Sequence, residues 1–103
     1  MIKLALFARL EAKPGKEGAV ADLLEAGLAL ARQEATTPMG FALRLSPRTF
    51  GVFDAFHDEA GRQAHLSGRI AQALMAKAPE LFAPSPSIEP IEVLGLKNAA
   101  GAM

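Results

Sequence analysis

The chemistry this chain can offer rests on His65, on Asp54 within the apolar run F-G-V-F-D-A-F, and on Arg44, with His57 and Arg9 as secondary candidates. An imidazole titrates near neutral pH, so His65 is the best single acid–base candidate. Its competing duty is structural, capping or packing a kink at Ser67-Gly68. Asp54 alternates onto the same strand face as Phe50, Val52 and Phe56. A carboxylate on a covered face must find a partner or shift its pKa. It would then orient a ligand hydroxyl or fix a basic group. Arg44, on the neighbouring strand, is its predicted cross-strand partner. A role for Arg44 in stabilising an oxyanion is the alternative. Arg9 shares a face with Phe7 and fits a rim or intersubunit ion pair, or the neutralisation of a phenolate. His57 beside Asp58 imitates a metal pair but is better placed at the start of a helix.

Several chemistries lack their residues. The chain has no cysteine, so disulfides, thiolate catalysis and cysteine metal sites are absent. No H-E-x-x-H motif supports zinc, and no G-x-G-x-x-G or phosphate loop supports a nucleotide. Met39 or His65 alone does not define a haem ligand. No cofactor and no metal are expected. Eleven basic and eleven acidic side chains cancel, which gives no basis for nucleic acid or an anionic membrane as partner. The opening M-I-K-L-A-L-F-A-R is too short and too charged to span a membrane or to act as a leader. A cytoplasmic protein is expected.

The elements that must position these residues follow from periodicity. With 103 residues, half of them apolar, one domain is expected. Ile2 to Glu11 alternates as a strand, and Pro14-Gly15 breaks it. Val20, Leu23, Leu24, Gly27, Leu28 and Ala31 then form a helical stripe, with Glu17, Asp22, Glu25, Arg32 and Glu34 on the wet side. Thr36-Thr37-Pro38 ends that helix, predicted over 16–35. Phe41, Leu43 and Leu45 alternate, Ser46-Pro47-Arg48-Thr49 turns the chain, and Phe50 to Phe56 returns as the second arm of a hairpin. Asp58 can cap the next helix, predicted over 59–78, with Ala60, Ala64 and His65 inward. Ser67-Gly68 divides it into two pieces. Ala71, Leu74, Met75 and Ala78 continue the apolar stripe until Pro79 interrupts it. A last strand falls near 88–97, with Pro90 suited to a sheet edge. The domain is expected over residues 1–98, followed by a frayed tail over 99–103. No internal repeat is present.

The order β-α-β-β-α-β predicts a ferredoxin-like α+β subunit, an antiparallel sheet with both helices on one face. Phe7 lies opposite the row Leu4, Leu6 and Ala8, and Phe53 opposite Phe50, Val52 and Phe56, so both sheet faces carry apolar residues; the helices can cover only one face, and either can be the open one. A second apolar face calls for a partner subunit, a ligand cavity, or both. An isologous homodimer is the expected assembly.

The segments F-A-R-L-E-A-K-P-G-K-E, F-G-V-F-D-A-F-H-D-E-A-G-R-Q-A-H-L-S-G and P-E-L-F carry a family resemblance. Across residues 2–97 the chain resembles the antibiotic-biosynthesis monooxygenase domain family of the dimeric α+β barrel group. That resemblance implies a ferredoxin-like subunit whose sheet packs on a second one, forming a dimeric barrel. It also implies oxidation of phenolic or quinol substrates by molecular oxygen without flavin, haem or metal, although some members degrade haem. His65 matches the family's common histidine on the second helix. The family's second histidine, five residues later, is Ile70 here, and its Glu-x-Trp in the third strand is Asp54-Ala55-Phe56. Because the chain has no Trp or Tyr, any mechanism needing either is excluded. On this reading His65 accepts the phenolic proton, the resulting anion passes an electron to oxygen, Arg44 stabilises oxyanion charge and Asp54 orients the polar network. Two function classes stand: a cofactor-independent monooxygenase acting on a small aromatic, phenolic or quinol molecule, and a non-enzymatic dimeric domain that binds a small apolar molecule, in sensing or stress.

Overall fold

The computed structural model describes residues 1–97. The chain runs through β1 (Leu4–Glu11), α1 (Glu17–Ala31), β2 (Met39–Arg44), β3 (Thr49–Phe56), α2 (Glu59–Leu66), α3 (Arg69–Leu81) and β4 (Ser87–Glu92). The expected tail, residues 99–103, lies outside the described residues.

β1 ends where Pro14-Gly15 turns the chain, with Gly15 at φ +83°, a conformation that suits a residue without a Cβ. The stripe of α1 buries Val20, Leu24 and Ala31. This helix stops at Ala31, earlier than its periodicity suggests. Beyond Arg32 the backbone tightens: the N–H of Gln33 donates to Leu30 O and that of Glu34 to Ala31 O. Pro38 disfavours helical geometry at Thr37, which contributes to this early end. Glu34 therefore leaves the wet face of α1 and becomes partly buried.

β2 and β3 form the predicted hairpin, closed by Leu45 N–H donating to Thr49 O at 2.8 Å. The sheet order is β2-β3-β1-β4, and every neighbouring pair is antiparallel. Leu6↔Asp54, Ala8↔Val52 and Leu10↔Phe50 share one face, and Ala5↔Ala55 and Phe7↔Phe53 share the other. The main core lies on the first face, where Leu10, Val20, Leu24, Phe50, Leu81 and Phe82 pack together. Helices α1 and α3 thus cover one side of the sheet, as a ferredoxin-like fold requires.

The barrel expected from the family resemblance is not formed. β2 and β4 lie at opposite edges and each pairs with a single neighbour, so the sheet is open. Small closed barrels need about eight strands to bring their edges into register. The subunit is a ferredoxin-like layer of helices on an open antiparallel sheet.

The second helical region divides at Ser67-Gly68, as expected. Asp58 caps α2 by accepting the N–H of Gly61 at 2.8 Å. Ala60 and Ala64 are exposed instead of inward, and Gly61 and His65 face the core. Arg62 donates to the carbonyls of Ala5 and Ile91, which ties α2 to β1 and β4. Pro79 lies inside α3, whose last turn continues to Leu81, and Met75 is exposed. β4 is shorter than predicted, and Pro90 sits on it at the sheet edge opposite Leu6.

Candidate active site

Between the helix-covered sheet face and α1 and α3 lies a cavity of about 150 Å³. Its walls come from Leu6 and Val52 on the sheet, Leu24 and Leu28 on α1, and Ile70 and Leu74 on α3. Gly27 also lines it and faces Ile70; a Cβ there would lie 3.6 Å from Ile70 Cγ2. Asp54 and His65 are the two polar residues of the lining, and every other one is apolar or glycine. An apolar cavity of this size accommodates roughly one benzene-sized ring.

Asp54 and His65 are 6% and 8% exposed and meet directly. His65 Nε2 stands 2.9 Å from Asp54 Oδ2. On the opposite side of the ring, Nδ1 stands 3.1 Å from Glu34 Oε1. Thr37 Oγ1 donates to the same Glu34 oxygen at 2.9 Å and lies 3.4 Å from Nδ1. Ionised carboxylates only accept hydrogen bonds, so an imidazole between two of them carries a proton on each nitrogen. The Asp54 carboxylate raises the His65 pKa above its ordinary value first and most strongly; burial opposes it, and Glu34 adds to the rise. His65 also lies in the last turn of α2, where the exposed carbonyls favour a cation. The Phe56 ring packs on the imidazole with centroids 5.5 Å apart.

Local sequence explains this placement. Alternation along β3 puts Asp54 and Phe56 on one face, and α2 brings its buried His65 over both. Gly40, opposite Asp54 on β2, leaves room for the carboxylate: a Cβ there would lie 2.6 Å from Asp54 Oδ1. Among the described residues no protein donor engages that oxygen.

The predicted site residues are only partly united. His65 and Asp54 meet at the cavity. Arg44 does not join them, and the expected Arg44–Asp54 pair is not formed. In register Arg44 opposes Phe50, and Asp54 opposes Gly40, four positions away along β2. The Arg44 guanidinium donates to Pro47 O at 2.9 Å and lies 4.6 Å from the Phe50 ring centroid. Arg9 and His57 are exposed and stand apart from the cavity. Glu34 and Thr37 are the polar partners that sequence reasoning missed. Helical periodicity put Glu34 on the wet side, and the available signal was the proline at 38 that shortens α1. The two carboxylates flank the ring from opposite sides and do not converge on one point. No group of three or more His, Cys, Asp or Glu side chains among the described residues is arranged to hold a metal ion.

The position of the family's second histidine, Ile70, is an apolar wall of the cavity, and Phe56, in place of the tryptophan, is fully buried beside His65. Fold comparison agrees with the resemblance carried by the sequence. A solved Nitrosomonas europaea protein of unknown function, NE2512, is 60% identical, with a TM-score of 0.93 over 98% of each chain. The Pseudomonas aeruginosa protein PA3566 is 22% identical, with a TM-score of 0.79 over 92% of this chain and 97% of its own. A second N. europaea protein, provisionally named an antibiotic biosynthesis monooxygenase, is 13% identical, with a TM-score of 0.80 over 89% and 90%. The sequence matches no family model and no curated protein. The chain has the fold of the antibiotic-biosynthesis monooxygenases and belongs to one family with the NE2512 protein.

Proposed function

We propose that this protein is a cofactor-independent monooxygenase that oxidises a small phenol or quinol in the cavity. The observation that carries this reading is an apolar, ring-sized space closed at one end by the Asp54–His65 pair. A hydroxyl on the bound ring would meet Asp54 Oδ1, the oxygen left free of protein donors among the described residues. Both nitrogens of His65 already face carboxylates, so its part shifts from proton acceptor to the cation that holds Asp54 in place. Arg44 has no part in the site.

An electron-rich ring passes an electron to oxygen, and loss of that electron makes its hydroxyl strongly acidic. A carboxylate is then an adequate acceptor. A hydroquinone reacts with one molecule of dioxygen. One atom of dioxygen enters a ring C–H bond as a new hydroxyl. The two original hydroxyls become carbonyls, and their hydrogens leave with the second oxygen atom as water.

Oxygen uptake with single-ring hydroquinones and with larger naphthoquinols tests this reading, using protein freed of metal and flavin. Uptake should be catalytic, labelled dioxygen should appear in the product, and the smaller rings should be preferred. Asp54→Asn and His65→Ala should each lower turnover at least about tenfold, since acid–base groups typically contribute 10²–10⁴-fold. Saturable binding without oxygen uptake would replace this reading with that of a small-molecule-binding domain.

We also propose that the subunit works as a homodimer through its uncovered sheet face. The support is the apolar surface there: Phe41, 48% exposed, contacts Phe53 with ring centroids 6.3 Å apart, and Phe7 lies over Gly51 on the same face.

A further inference from the structure

Asp54 and His65 border the cavity, but Glu34 does not; it reaches the site only through the far nitrogen of the ring. Its side chain is 26% exposed, against 9% for His65 and 8% for Asp54, so it stands between the buried pair and solvent. One hydrogen bond besides the imidazole contact holds it. Thr37 Oγ1 donates to Oε1. The other oxygen, Oε2, lies 3.7 Å from where a Cβ would stand on Gly68, the N-cap of α3. Glu34 thus links the segment after α1 to the histidine of α2 and lies beside the start of α3.

We infer that Glu34 is a positioning residue of the cavity: it holds the imidazole of His65 as a doubly protonated cation with Nε2 turned to Asp54, leaving the second Asp54 oxygen as the acceptor that faces a ligand. A neutral imidazole has one N–H and one lone pair, and which nitrogen carries the proton is set by its partners. With Glu34 accepting from Nδ1 and Asp54 from Nε2, neither nitrogen offers a lone pair to the cavity. Without Glu34 the ring loses one anionic partner, and a single N–H then satisfies Asp54 alone.

The charged groups facing His65 are few. β3 presents Asp54, the segment after α1 presents Glu34, and the segment before β2 presents the neutral Thr37 hydroxyl. On α2 itself Arg62 pairs with Glu59 and donates to the carbonyls of Ala5 and Ile91. The Asp58 carboxylate caps the opposite end of α2. The raised His65 pKa, to which Glu34 contributes, agrees with this placement.

The test is a proton NMR titration of the intact protein, which has two histidines, His65 and the exposed His57. Glu34→Gln should move the His65 midpoint down and leave that of His57 unchanged. Glu34→Asp should restore part of the shift, and Thr37→Val should move the midpoint the same way by less. A His65 midpoint in Glu34→Gln equal to that of the wild type, in protein with unchanged circular dichroism, would overturn the inference. So would equal movement of both histidines. The consequence for chemistry rests on the oxidation proposed above: in Glu34→Gln the alkaline limb of kcat should shift to lower pH with KM little changed. The NMR readout needs no substrate. A moved His65 midpoint in a protein that never turns over hydroquinone therefore supports the role of Glu34 and rejects the oxidation.

Discussion

At the scale of single residues, the imidazole of His65 links the cavity to the protein's pH dependence. Its folded pKa lies above the unfolded value near 6.5, chiefly because of Asp54. A raised histidine pKa means the folded state binds the proton more tightly than the unfolded chain. The stabilisation is therefore fully present below about pH 6.5 and is lost as pH rises through the folded value. Urea unfolding of wild type and His65→Gln across pH 5 to 9 should show a stability gap that is widest in acid and narrows in alkali. A constant gap would mean that His65 contributes packing against Phe56 and no linked charge. Gly40→Ala tests the same site from β2. Its Cβ would strike Asp54 Oδ1, so it should displace the carboxylate and lower the His65 midpoint, with the NMR titration as the check.

At the scale of elements, α1 presents a glycine to the cavity where an alanine would suit a helix better. Gly27→Ala should raise stability by about 1 kcal/mol. The new Cβ meets Ile70 at an ordinary contact distance, so no strain offsets the gain. The same methyl group intrudes on a cavity of about 150 Å³. Affinity for a single-ring phenol should fall as stability rises, and calorimetric titration beside a thermal melt would show both. A variant that gains stability and binds phenol as well as the wild type would place the ligand elsewhere. The β3–α2 contact supplies the opposite case. Phe56 is fully buried against His65, and Phe56→Ala should cost about 3–5 kcal/mol.

At the scale of the whole molecule, the one-sided layer of helices leaves Phe7, Phe41 and Phe53 on a face that no helix among the described residues covers. Sedimentation at micromolar concentration should find a wild-type dimer. Phe53→Lys should give a folded monomer whose cavity still binds phenol. Phe56→Ala, on the covered face, should lose stability without changing assembly in the molecules that remain folded. A wild-type monomer with native circular dichroism would remove the homodimer from the proposal. The longest helix among the described residues has 15 residues, and none is long and apolar enough to cross a membrane.

Local chemistry in the chain was enough to establish the order of strands and helices, the hairpin, the Asp58 cap and the break at Gly68. Each rests on alternation, helical spacing or turn residues within a few positions, and such signals survive without knowledge of distant partners. They also place Asp54 on the face of Phe50 and Phe56 and single out His65. What pairs with these two was a tertiary matter. Arg44 and Asp54 occupy adjacent strands, yet the register sets them four positions apart. Glu34 reads as the wet side of a helix that in fact ends before it. Pairing across 31 residues, between Glu34 and His65, depends on where α1 stops and how α2 rotates. The open sheet is likewise a long-range outcome, because edge strands close only when strand number and stagger permit it. Periodicity describes one element at a time, whereas a buried ion pair depends on the angles between several.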